Sequence, residues 1–236
     1  MKFSTRSRAF IYAAIFAAGG ILCFASEPAL VYLQHGHPDA ATLLAPPPLP
    51  DSAEQAADLA EVIAVHTACN SNQLAMAFSE KKFSITNFAA VIGDSFDAGR
   101  FPKTTAFIGR VQQDADLAVD DAKHYWKRPR PYTVKPELAN GKLETTFSYP
   151  SGHSTESTVV ALVLADLFPD KADSIVAVSR DIGWHRVWIG RHYPTDIYAG
   201  RVFAQAVVRE LKTNPAFVRD FEEVKEEIKS ACSSKP

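Results

Sequence analysis

From Asp51 onward, apolar side chains recur with the ~3.6-residue period of an α-helix, and the every-second-residue alternation of a half-buried strand is scarce. Asp51-Ser52 opens the first such stretch, with Glu54 placed as in a capping box. Leu59, Ile63, His66 and Cys69-Asn70 continue one face toward Phe78. Thr104 to Trp126 carries Phe107, Val111, Leu117 and Val119 among Asp and Gln residues. Ser154 to Phe168 is strongly apolar and stops at Pro169; Ala172 to Trp184 and Thr195 to Leu211 follow, and Pro215 opens a last stretch rich in Glu and Lys. This pattern predicts an all-α fold, a single compact helical bundle. There is no internal repeat and no sign of a second domain. A chain of 236 residues, 47% hydrophobic, has ample material for one core.

The first 25 residues read differently. Lys2, Arg6 and Arg8 precede an uncharged apolar run from Ala9 to Ala25, and Ser26-Glu27-Pro28 follows a small residue, the three-part layout of a secretory signal peptide. An uncleaved anchor helix is the alternative, since ~17 apolar residues just reach across a bilayer. Processing as a lipoprotein at Cys23 is disfavoured by bulky Leu22. No other segment suits a membrane span: Val159 to Phe168 is short, carries Asp166 and ends at Pro169. The mature chain is therefore expected to be exported, periplasmic or secreted. Residues 26–50 read as an extended, Pro-rich segment ending in Ala45-Pro46-Pro47-Pro48-Leu49-Pro50, wrapped over the surface. Residues 51–236 form the expected globular domain.

Export also bears on the three cysteines. Removal of the leader takes Cys23, leaving Cys69 and Cys232 in an oxidising compartment, where a disulfide tying down the C-terminal tail is expected. A formal charge of -2 excludes the basic excess of a general nucleic-acid binder. His35-Gly36-His37 could bind a metal in principle, but with no third ligand nearby in sequence it reads as loop.

Three clusters carry chemistry. Lys123-His124-Tyr125-Trp126-Lys127-Arg128-Pro129-Arg130-Pro131 ends a helix, and its prolines force an extended exit, so Lys123 and Arg130 can converge on one point. A solvated basic patch at a helix C-terminus would look the same. Tyr149-Pro150-Ser151-Gly152-His153 precedes the most apolar helix. Gly152 permits close backbone approach and the helix N-terminus favours an anion, with Ser151 and His153 beside it; plain helix capping is the competing reading. In Arg186-Val187-Trp188-Ile189-Gly190-Arg191-His192-Tyr193-Pro194-Thr195-Asp196, Pro194 starts a helix. His192 and Asp196 then flank its first turn, within reach of a carboxylate–imidazole hydrogen bond that fixes the ring tautomer.

The spacing Lys123, six residues, Arg130-Pro131; then Pro150-Ser151-Gly152-His153; then Arg186, five residues, His192, three residues, Asp196 resembles the signature of the type 2 phosphatidic acid phosphatase (PAP2) superfamily. That superfamily includes bacterial class A non-specific acid phosphatases and shares its site with vanadium haloperoxidases. The stretch from Ser148 to Ser154 is especially similar to the acid phosphatase signature, with Phe147 where Gly is usual and Ser154 where Thr is. His185 stands where the family usually has Ser.

The resemblance implies a PAP2-type helical bundle and a metal-independent phosphatase. Lys123, Arg130, Arg186, Ser151 and the Gly152 amide would bind the phosphoryl oxygens. His192 would attack phosphorus with Asp196 orienting it, and His153 would protonate the leaving group. Small phosphate monoesters are the implied substrates. A periplasmic lipid or isoprenoid diphosphate phosphatase is the alternative, a vanadium haloperoxidase a weaker one. Homo-oligomerisation is left open.

Overall fold

The computed structural model describes residues 29–93 and 99–233; the leader-like residues 1–25 lie outside them. In chain order the helices are α1 (Ala40–Leu43), α2 (Ala53–Ala68), α3 (Ser71–Ser79), α4 (Ala89–Ile92) and α5 (Pro102–Trp126), followed by α6 (Pro131–Val134), α7 (Gly152–Leu167), α8 (Ala172–Trp188), α9 (Pro194–Leu211) and α10 (Pro215–Ser233). Single 3-10 turns interrupt the connections, and no strand occurs among the described residues. Prolines open α5, α6, α9 and α10, where the missing N–H costs no helical hydrogen bond.

Helix α7 is the axis of the bundle, packed on α5, α8 and α9. Val159, Val160, Ala161, Val163 and Leu164, from its apolar second half, are buried, while Asp166 near its end is exposed. Two glycines let its neighbours close in. A Cβ on Gly200 of α9 would stand 2.9 Å from the Ser151 carbonyl oxygen, and one on Gly183 of α8 would stand 3.2 Å from Ser154 Oγ. Helices α2 and α3 lean on α8, and α10 lies along α5. Phe217 and Phe221 of α10 meet Phe107 of α5 at ring separations of 5.2 and 6.1 Å. Glu227 of α10 caps the first turn of α5, accepting from the Lys103 and Thr104 amides at 2.9 and 2.8 Å.

Four local expectations are corrected. Ser52, not Asp51, caps α2, accepting from the Gln55 amide at 3.1 Å. The apolar face does not run unbroken to Phe78: Asn70 forms a capping box with Gln73 and starts α3 as a separate helix. The N-terminal segment does more than wrap the surface, because Tyr32 and Leu33 enter the core. The fully buried Asp114 carboxylate draws them in, accepting from the Val31, Tyr32 and Leu33 amides at 2.7–2.9 Å. Finally, Cys69 is a free thiol, and the side chain of Cys232 lies outside the described residues, so the expected disulfide is not seen. His35 and His37 lie in the N-terminal loop.

Candidate active site

The site forms where the C-terminal ends of α5 and α8 meet the N-terminal ends of α7 and α9. Lys127 ends α5 in the left-handed region at φ 50°, its amide bonded to the Lys123 carbonyl at 2.9 Å. That turn and the prolines after it bring Arg128 and Arg130 back toward the bundle axis. Ser151 caps α7, accepting from the Ser154 amide at 3.4 Å, while its own amide donates to the Asp196 carbonyl of α9 at 3.1 Å. Gly152 is the first residue of α7, and a Cβ there would stand 3.2 Å from Lys123 Nζ. The lysine thus lies directly against the helix N-terminus. Lys123, Arg130 and Arg186 are all at most 6% exposed.

These cations converge on His192. Arg130 Nη1 donates to His192 Nε2 at 3.1 Å. Guanidinium N–H groups only donate, so Nε2 carries the lone pair and Nδ1 the proton. Nδ1 in turn donates to Asp196 Oδ2 at 3.3 Å. Burial, followed by the charges of Arg130 and Lys123, holds His192 well below its ordinary value. A neutral imidazole is favoured, its lone pair on Arg130 and the Lys123 and Arg186 charges near enough to act on it.

His153 is held from its other side. Its Nε2 donates to the carbonyl oxygens of Glu80 and Lys81 at 3.1 and 3.2 Å, just past the C-terminus of α3. Carbonyls only accept, so Nδ1 is the nitrogen left for proton traffic. Burial and the nearby Arg186 charge push His153 down to about 3. A bound phosphoryl dianion would oppose these cations and raise both imidazoles. Arg186 donates through Nη2 to the Ala77 carbonyl and to Glu80 Oε2, the latter at 3.4 Å. Burial brings it down to about 10, opposed by Glu80.

All eight residues named from sequence therefore lie around one point. Sequence reasoning missed their supports. Arg128, lying between two residues of the basic cluster, turns away from the phosphate side. Its Nη1 donates to Asp196 Oδ1 at 2.6 Å, its Nη2 to Asp58 Oδ2 and Gln55 Oε1 at 2.7 Å each, and it stacks 4.0 Å over the Tyr193 ring. Asp58 and Gln55 come from α2. Their signal was polar residues at helical spacing on a buried face with Val62. Ser148 donates to Asp196 Oδ2 at 2.6 Å, and the Tyr193 amide adds a bond at 2.9 Å. Asp196 is thus fully buried, with each oxygen satisfied.

Residues 111–216, which hold every one of these eight residues, match the PAP2 superfamily. An acid phosphatase of Zymomonas mobilis is 31% identical over 218 residues, covering 89% of this chain and 82% of that protein. The chain belongs to the PAP2 superfamily. A non-specific acid phosphatase of Providencia stuartii is 28% identical over 217 residues, 86% of each chain. Among solved structures, a bacterial vanadium-dependent iodoperoxidase superposes with a TM-score of 0.58 at 20% identity, covering 74% of this chain and 53% of that one. That likeness is one of helical fold.

Proposed function

We propose that this chain is an exported acid phosphatase that hydrolyses phosphate monoesters through a phosphohistidine at His192, without a metal. The observation that carries the proposal is buried His192 held between Asp196 at Nδ1 and Arg130 at Nε2, with Lys123 and Arg186 buried nearby. These cations, with Ser151 and the Gly152 amide, bind the phosphoryl oxygens and offset the charge that develops on them. In the first step the His192 Nε2 lone pair forms a bond to phosphorus. The bond from phosphorus to the ester oxygen breaks, and His153, protonated at Nδ1 once the phosphoryl dianion is bound, delivers that proton to the leaving alkoxide. In the second, His153 takes a proton from water as the water oxygen attacks phosphorus. The P–N bond then breaks, and inorganic phosphate leaves with His192 neutral again.

Export rests on the charged and apolar layout of residues 1–25. No helix among the described residues is long and apolar enough to cross a membrane. The decisive experiment is His192→Ala assayed on p-nitrophenyl phosphate, with EDTA and vanadate tested on the parent enzyme. Loss of turnover in the variant, resistance to EDTA and inhibition by vanadate are expected, since vanadate mimics the pentacoordinate phosphoryl group. Near-parental turnover of the variant would refute the mechanism.

A further inference from the structure

His185 stands where the superfamily signature usually has Ser, and the structure gives it a partner. Its Nδ1 lies 2.9 Å from Glu80 Oε2 and 3.0 Å from Oε1. The same carboxylate reaches Arg186 Nη2 at 3.4 Å, and the Glu80 main-chain oxygen accepts from His153. One residue at the end of α3 therefore touches one phosphate-site arginine, one proton-transfer histidine and the residue that departs from the signature. Both side chains of the pair are largely buried, 8% exposed for His185 and 12% for Glu80.

We propose that Glu80 is a positioning residue of this phosphatase site, its carboxylate fixing the Arg186 guanidinium through a shared contact with His185 while its carbonyl fixes the ring of His153. The proposal rests on the functional reading above. Among the described residues Arg186 is held by its Nη2 edge: the Ala77 carbonyl and Glu80 take that nitrogen. Its Nε, buried in a residue only 3% exposed, has no partner among the described residues. Planar guanidinium geometry then sets the direction of the free edge from the bound one. Glu80 cannot swing away without giving up His185, so the pair anchors α3 to α8. On this basis Ser at position 185 would leave Glu80 with Arg186 as its one side-chain partner of the two. The turn that also presents the Glu80 and Lys81 carbonyls to His153 would be less firmly held.

The test compares Glu80→Ala, Glu80→Gln and His185→Ser with the parent. It uses p-nitrophenyl phosphate kinetics and calorimetric binding of inorganic phosphate, with far-UV circular dichroism to check folding. Glu80→Ala is expected to raise KM and the phosphate Kd about tenfold, the scale of one lost charge-assisted contact. Glu80→Gln keeps the side-chain volume and one acceptor but not the charge, so it should recover only part of that loss, whereas a residue with only a packing role would be restored fully. His185→Ser should move both constants in the same direction by less. It carries the test alone if Glu80→Ala does not fold. A folded Glu80→Ala with KM and phosphate Kd within about twofold of the parent would overturn the proposal. So would tighter phosphate binding, which would make Glu80 a competitor for Arg186 instead of its support. If the parent binds phosphate without hydrolysing the ester, the functional reading fails and Glu80 is judged on the phosphate Kd.

Discussion

Replacing Glu156 by Gln should stabilise this protein at neutral pH and leave it unchanged in acid. Glu156 lies one helical turn beyond His153 on α7. Its carboxyl accepts from Gln112 Nε2 at 3.2 Å and shares its surroundings with Asp116. Burial, reinforced by the Asp116 charge, raises it from 4.5 to about 8. A carboxyl whose folded-state value is raised costs nothing below its unfolded value, where both states are protonated. Stability then falls as pH climbs through the window between the two, and levels off above the folded value. At ~1.36 kcal/mol per pH unit, the penalty is about 3.4 kcal/mol at pH 7 and about 4.8 kcal/mol above pH 8. Residual solvent contact makes these ceilings, so a gain of about 2–3 kcal/mol at pH 7 is expected for Glu156→Gln. For a domain of this size that is a rise in Tm of roughly 5–10 °C. Thermal unfolding of parent and variant across the range from acid to mildly alkaline gives the difference curve directly. Comparing the two chains cancels the opposite trend of His153. Its lowered value makes the folded state lose stability as pH falls from 6.5 toward about 3. A Tm difference that does not change with pH, or a variant less stable at pH 7, would refute the reasoning.

Arg128→Met should lower Tm by roughly 10 °C and kcat by at least about a hundredfold, because it strands Asp58 and Asp196 as buried unpaired carboxylates beside His192; calorimetry and ester hydrolysis measure both. Gly200→Ala should cost about 1–3 kcal/mol, since its Cβ would press on the Ser151 carbonyl. Chemical denaturation checks the cost, and kinetics should show reduced turnover as α7 and α9 separate. His192 attacks only when unprotonated, so its lowered value predicts that the acid limb of kcat/KM falls below pH 6.5. A limb at the ordinary histidine value would contradict the neutral-imidazole site. Ellman titration of the denatured, unreduced mature protein should find Cys69 as a titratable thiol; its absence would restore a disulfide to the structure.

Helical class and most helix boundaries are local matters, and the sequence carries them. The proline opening α10 and the apolar run that becomes α7 act within a few residues of themselves, through missing amides and through periodicity. The three spaced motifs were equally legible, since Lys123 and Arg130, or His192 and Asp196, are close along the chain. The geometry that makes them a site was not. Arg128 and Arg130 stand two residues apart in one basic run, yet one supports Asp196 from behind and the other faces His192 Nε2. Which does which depends on Asp58, 70 residues before Arg128. Arg186 takes its orientation from Glu80, 106 residues earlier. The Pro-rich leader to the domain read as surface, because nothing local announced that Asp114 would bind its amides. Burial decided these outcomes. A charged side chain removed from water must find partners wherever the fold supplies them, and only the packed bundle brings α2 and α3 to the ends of α5, α7, α8 and α9.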